Sequence, residues 1–226
     1  MRAIRDSLAR WPRIAPRPPE PLHGKVTHLA TDYFKLSENL SRFYDFTGKV
    51  VLFIGAGGRQ LLDPATPAKK LMAIDKDVGA LRELKENIAA KRLEDSVEVA
   101  GVGFEEVTWR GDVVYFEFCL HEMADPERAL IHAKSLAPDV VVYDHSPGSE
   151  WIYYGAEEDK VARSSAVMEG FGIRRRSAYR AEQRFTSYAE LLAKVEPQGP
   201  VAVERAQRFA SATDIVIPMN YELNLL

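Results

Sequence analysis

Five apolar residues in an unbroken row, Val50 to Ile54, predict a first strand near the start of a long patterned region. A strand with one wet face alternates apolar and polar residues, so a run without alternation predicts burial on both faces, as in a parallel sheet covered by helices. Gly55, Gly57 and Gly58 end the run. Upstream, "TDYFKLSENLSRFYDF" places Phe34, Leu40, Phe43 and Tyr44 at three- and four-residue intervals around Leu36, which predicts an amphipathic helix.

The alternation continues downstream. "KLMAIDKD" predicts a second strand ending at Asp75, and Asp77 is placed to cap a helix with Leu81, Leu84 and Ile88 on one face. Third and fourth strands are predicted at Val97 to Ala100 and near Asp112 to Phe118. Asp125 then offers an N-cap, with Pro126 at the first helical position and Pro138 beyond the last. "DVVVYDHS" predicts a fifth strand. Helical spacing at Val161, Ala162, Ser165 and Met168 follows, and two further strands, "IRRRSAYRAEQRF" and "ASATDIVIPMNYEL", flank a short helix at "TSYAELLAKV". This order predicts an α/β fold with a doubly wound, mostly parallel, seven-stranded sheet in one domain spanning 31–226.

Residues 1–30 stand apart. "MRAIRDSLARWPRIAPRPPEP" holds five arginines, two acids and five prolines, and the prolines bar a continuous helix. An arm or lid is expected, through which a homo-oligomer can form; a transit-peptide reading is opposed by Asp6 and the prolines.

Composition then narrows the chemistry. A chain of 226 residues, 46% hydrophobic, supports one sizeable core rather than two. A net charge of −3 gives no footprint for a nucleic-acid backbone, and no apolar run reaches the length of a membrane span, so a small-molecule substrate is expected rather than either partner. The single cysteine, Cys119, has no disulfide partner within the chain and no second thiol for a structural metal. A cytoplasmic protein without a metal is the expectation.

In an open α/β sheet, ligands bind outside the carboxyl ends of the strands where their order reverses. Gly55 ends the first strand and Asp75, 20 residues later, ends the second, the separation at which a carboxylate can accept both ribose hydroxyls of a nucleoside ligand. A dinucleotide fingerprint is not met, because Gln60 stands where the third glycine belongs.

Four segments together resemble the class I S-adenosylmethionine-dependent methyltransferases over roughly Thr31 to Leu226. "VLFIGAGGR" is similar to the first motif, "LMAIDKD" to the ribose-binding loop, "DVVYFEFCLHEMADPERAL" to the fourth strand and its helix, and "LAPDVVVYD" to the fifth strand. The resemblance implies a Rossmann-like fold with S-adenosylmethionine as cofactor, Gly55 and Gly57 along its methionyl part, Asp75 at the ribose and Phe118 to His121 on the reaction face. The chain departs from the family at Phe53, where an acid is usual, at Arg59, which replaces a glycine, and at Val102, Gly103 and Phe104, where an acid often meets the adenine. Gly103 and Phe104 are expected to form an apolar adenine slot, and Arg59 to pair with the methionyl carboxylate.

Methyl transfer from a sulfonium needs an oriented nucleophile and, for a hydroxyl or amine, removal of a proton. Two strand ends offer the groups: Glu117, His121 and Glu122 at one; Tyr143, Asp144, His145, Trp151, Tyr153 and Tyr154 at the other. His145 and His121 are the candidate bases, since imidazole titrates near neutrality. The competing structural roles are a turn hydrogen bond for His121, packing for the aromatics, solvated edge charge for Arg174 to Arg176, and an inert thiol for Cys119 in apolar surroundings. The expected activity is methyl transfer to a small molecule. Its alternatives are transfer of the cofactor's aminocarboxypropyl arm, since "FIGAGG" is similar to the opening motif of nicotianamine-synthase-like proteins, and a non-catalytic binding protein on the same fold.

Overall fold

The computed structural model describes residues 33–56 and 68–226. The expected arm, Gly57 and Arg59 lie outside the described residues.

Seven strands form one sheet in the order β3-β2-β1-β4-β5-β7-β6. They are β1 (Val50–Ile54), β2 (Lys70–Ile74), β3 (Val97–Ala100), β4 (Val113–Glu117), β5 (Asp139–His145), β6 (Arg175–Ser187) and β7 (Thr213–Leu225). Pairing is parallel from β3 through β5, and β7 runs antiparallel to both of its neighbours. The continuous apolar run of β1 has its reason here. Val51 and Phe53 enter a core with α1 (Tyr33–Phe43) and α2 (Val78–Lys91), while Leu52 and Ile54 enter a second core with α3 (Pro126–Leu136) and α5 (Glu158–Gly170). Two stacked layers of helix therefore clamp the sheet from opposite sides.

The helix starts follow from their caps. Asp77 Oδ1 accepts the N–H groups of Gly79 and Ala80 at 2.7 and 3.1 Å, and Asp125 Oδ1 accepts that of Arg128 at 3.0 Å ahead of Pro126. In α1, Leu36, Leu40 and Phe43 are buried with Tyr44 just beyond, but Phe34, expected on that face, is 79% exposed. It precedes Leu36 by two residues, which puts it about 160° round the helix from the buried stripe.

The carboxyl end of the sheet carries an overhang. β5 meets β7 only from Val141 to His145, opposite Leu225 to Tyr221, whereas β6 and β7 stay paired out to Ser187 and Thr213. The eight residues of β7 before Tyr221 thus project about 25 Å past the end of β5. Three helices pack on this overhang: α4 (Glu150–Gly155), α6 (Tyr188–Val195) and α7 (Pro200–Ala206), around Tyr154, Phe185, Leu191, Val195, Ile215 and Ile217. α6 matches the expected short helix; α7 is additional, and Pro200 at its first turn starts it.

At the opposite, amino end of the parallel strands, Asp139 at the start of β5 ties three elements together. It accepts the Tyr44 hydroxyl and the Arg174 guanidinium, each at 2.6 Å. Partial burial opposes ionisation there, but these two partners outweigh it and hold the carboxyl below its usual range. Asp139→Asn is expected to cost about 1.5–3 kcal/mol, the range for hydrogen bonds to a charged group. Because the folded-state pKa is lowered, the wild-type advantage is complete above the unfolded value of 3.8 and is lost as pH falls through the folded one. Denaturant unfolding of both proteins at neutral and strongly acid pH checks this; an advantage that grows on acidification contradicts it.

Candidate active site at the carboxyl ends of the strands

The strand order reverses between β1 and β4, and the crevice there is framed by the residues that leave those strands. Gly55 has φ +76°, and its N–H and that of Ala56 reach the Ile74 carbonyl of β2 at 3.2 and 3.4 Å. A Cβ at position 55 would lie 2.7 Å from both the Cβ and the Sγ of Cys119. Glycine is thus required here by close approach of the segment after β4 as well as by the turn. Cys119 Sγ donates to the Ile54 carbonyl at 3.3 Å, and burial pushes its thiol well up, which fits the inert reading.

Asp75 stands at the end of β2, half-buried. Its N–H donates to the Ala100 carbonyl, and its Oδ1 accepts the Asp77 N–H at 2.9 Å. The carboxylate is thereby oriented by the same turn that starts α2. The expected adenine slot is built differently. Phe104 begins a single 3₁₀ turn that directs its ring into the core, edge-on to Phe116 at 5.2 Å and His132 at 5.0 Å, and the Gly103 N–H is taken by Glu106 Oε1 at 3.1 Å. Phe53, where the family carries an acid, is fully buried against Tyr115.

The segment leaving β4 turns sharply. Phe118 adopts φ +47°, a conformation that costs a bulky residue about 1–3 kcal/mol, and its N–H donates to the Tyr143 carbonyl. The turn lays the Phe118 ring 4.8 Å from Tyr143 and 4.9 Å from His145. It also directs His121 inward, where only 2% of its surface is exposed. His121 Nδ1 lies 2.6 Å from Asp144 Oδ1, its backbone N–H donates to Asp144 Oδ2 at 3.0 Å, and its Nε2 faces Glu157 Oε2 at 3.3 Å. Burial alone would lower the His121 pKa, but the carboxylates of Asp144 and Glu157 overcome it and raise the value to about 10. Glu157, bonded to that imidazolium, is held down to about 2.

His145 has the opposite character. Its ring lies 5.5 Å from that of His121, its Nδ1 is buried without a hydrogen bond of ordinary geometry, and burial pushes its pKa down to about 4. At neutral pH the site holds one cationic imidazole and one neutral one. The unprotonated imidazole is that of His145; His121 carries a proton and pairs with acids.

A cavity of about 180 Å³ opens among these groups, lined by Phe118, His121, Glu122, His145 and Glu157, and by Trp151 and Lys194 from the overhang's helices. The overhang supplies its part of the wall through α4 and α6. A wider hollow of about 550 Å³ lies between α4 and α7, but its Arg205 and Arg208 are engaged by Glu158 and Glu150. Glu117 is buried on the face of Tyr115 and does not line the cavity. Tyr154 packs beside Phe209 under Arg208 rather than facing the strand ends. Arg174, Arg175 and Arg176 hold Asp139, the Phe43 carbonyl, and Glu169 with Asn224, so they knit the sheet edge together. Sequence reading missed Glu157 and Lys194. Glu157 sits in a charged stretch and Lys194 on a short amphipathic helix, neither with a local mark to separate it from a solvated face.

No protein-family model matches the chain, and no curated protein does either. Solved structures match its fold. The YcgJ protein of Bacillus subtilis has a TM-score of 0.61 at 11% identity, over 84% of this chain and 96% of its own. An S-adenosylmethionine-dependent methyltransferase of Aquifex aeolicus has a TM-score of 0.51 at 17% identity, over 87% and 91%. The fold is that of the class I methyltransferases. Precorrin 8w decarboxylase of Methanobacterium thermoautotrophicum matches the same methyltransferase fold at a TM-score of 0.55 and 11% identity, over 84% and 88%. A likeness at these identities fixes architecture, and the reaction has to be read from the site's own residues.

Asp144 is 1% exposed, so removing its carboxylate takes the close partner from the His121 ring and the acceptor from the His121 backbone N–H, both buried. Asp144→Ala is expected to lower stability by about 3–5 kcal/mol, the range for breaking a buried ion pair. Chemical denaturation measures it, and a loss under 1 kcal/mol would contradict the pairing.

Proposed function

We propose that the chain is a transferase that moves a methyl group from S-adenosylmethionine to a small-molecule acceptor held in the 180 Å³ cavity. The observation that carries this reading is the place of Asp75: a carboxylate oriented by a backbone N–H at the end of β2, beside the crevice where the strand order reverses. An acceptor-only group with two oxygens suits a pair of vicinal ribose hydroxyls. The expected methionyl contacts, Gly57 and Arg59, lie outside the described residues.

When bound, S-adenosylmethionine supplies a methyl group on a positively charged sulfur. The chain's residues do the rest by position. Phe118 and Trp151 give the cavity aromatic walls, which exclude water and orient a flat or apolar acceptor. Neutral His145 can hold the proton that a hydroxyl or amine gives up, while Asp144 and Glu157 fix the neighbouring imidazolium out of that role. Lys194 adds a cation at the α6 side that favours an acceptor with an anionic group.

Titration calorimetry with S-adenosylmethionine tests the reading. Wild type is expected to bind one equivalent, and Asp75→Ala to weaken it by about 1.5–3 kcal/mol, or about 10- to 150-fold. Mass spectrometry of products from a panel of small acceptors is expected to show added methyl groups. Equal affinity in a folded Asp75→Ala protein, or products carrying an aminocarboxypropyl group, would overturn the assignment.

A further inference from the structure

The groups that surround His121 do more than pair with it. Its Nε2 faces two carboxylates from different elements: Glu157 Oε2 at 3.3 Å, from the start of α5, and Glu122 Oε1 at 3.7 Å, from the turn after β4. All three atoms lie within 4.8 Å of one another, and this is the one such group among the described residues. Ligands held about 2.0–2.2 Å from a single ion stand roughly 3.0–3.6 Å apart, so the His121–Glu157 separation already suits a shared metal and the His121–Glu122 separation lies just beyond that range. Glu122, more than half exposed, needs only a side-chain rotation to close the third.

The surroundings of the ligands fit as well. His121 Nδ1 is held by Asp144, the carboxylate–histidine arrangement that turns the Nε2 lone pair toward a metal. Lys160 engages Glu157 Oε1, leaving Oε2 as the oxygen turned to His121. Once an ion displaces the Nε2 proton of His121, two carboxylates and the imidazole carry two negative charges, which a divalent ion balances. One nitrogen with two oxygens and no thiolate suits Mn²⁺ or Zn²⁺ better than Ca²⁺, which takes six to eight oxygens.

We propose that His121 Nε2, Glu122 Oε1 and Glu157 Oε2 form a binding site for a divalent transition-metal ion. Three protein ligands would leave coordination positions open, and all three line the cavity beside Phe118 and His145. A metal there would take an oxygen of a ligand in the cavity. The site stands on side-chain geometry alone and does not depend on the transferase reading.

The test uses the full chain stripped with EDTA and titrated with MnCl₂ or ZnCl₂ without S-adenosylmethionine, by calorimetry and, for manganese, by electron paramagnetic resonance. One ion per chain is expected, with affinity falling at least tenfold in Glu157→Gln and in Glu122→Gln. The exposed Glu122 side chain makes that variant safe for folding, which circular dichroism checks. Failure of the wild type to take up either ion, or one-equivalent binding left unchanged by both variants, overturns the proposal. Cofactor binding is measured separately, so neither outcome bears on Asp75.

Discussion

The carboxylate of Asp144 is the point on which the site's architecture depends. It is buried at the end of β5 and accepts the His121 backbone N–H, the His121 ring and the His145 backbone N–H. A charge in that position would be costly without such partners, and with them it ties the segment after β4 to β5. His121 then carries the tie across to Glu157 at the start of α5. Three separate elements are fixed by one buried acid, and the cavity wall is their common surface.

The opposite wall comes from a different source. The β6–β7 hairpin outruns β5, and the overhang gives α4, α6 and α7 an apolar surface on which to pack. Trp151 lies against Tyr154 and Phe185 in that cluster while also lining the cavity, so the overhang's packing and the site's shape are coupled. The sheet's order belongs to the shared methyltransferase fold, whereas the His121, Asp144 and Glu157 cluster is read from this chain's own side chains. Neighbours of the fold include a decarboxylase as well as a methyltransferase, which is why the side chains carry the functional argument.

Much of the fold was legible in the sequence because its signals are local. Unbroken apolar runs marked the buried parallel strands, and Asp77, Asp125 and Pro126 marked helix starts through the bonds they make in place. What escaped depended on distant partners. Phe104 was expected beside a ligand, but its 3₁₀ turn lays the ring on Phe116 and His132. A second reason for glycine at position 55 was not legible either: Cys119, 64 positions away, fills the space a Cβ would need. The two histidines read alike as bases; only the carboxylates around His121 and the burial of His145 send their pKa values in opposite directions. Glu157 joins the site through a contact 36 residues long, which no spacing rule announces.

A crystal structure with S-adenosylhomocysteine reads the ligand's position without needing the acceptor. The ribose hydroxyls are expected within hydrogen-bonding distance of Asp75 and the sulfur at the β1–β4 crevice, on the side of Phe118 and His145. Ligand density away from the strand ends, or an empty crevice at saturating ligand, would contradict that placement.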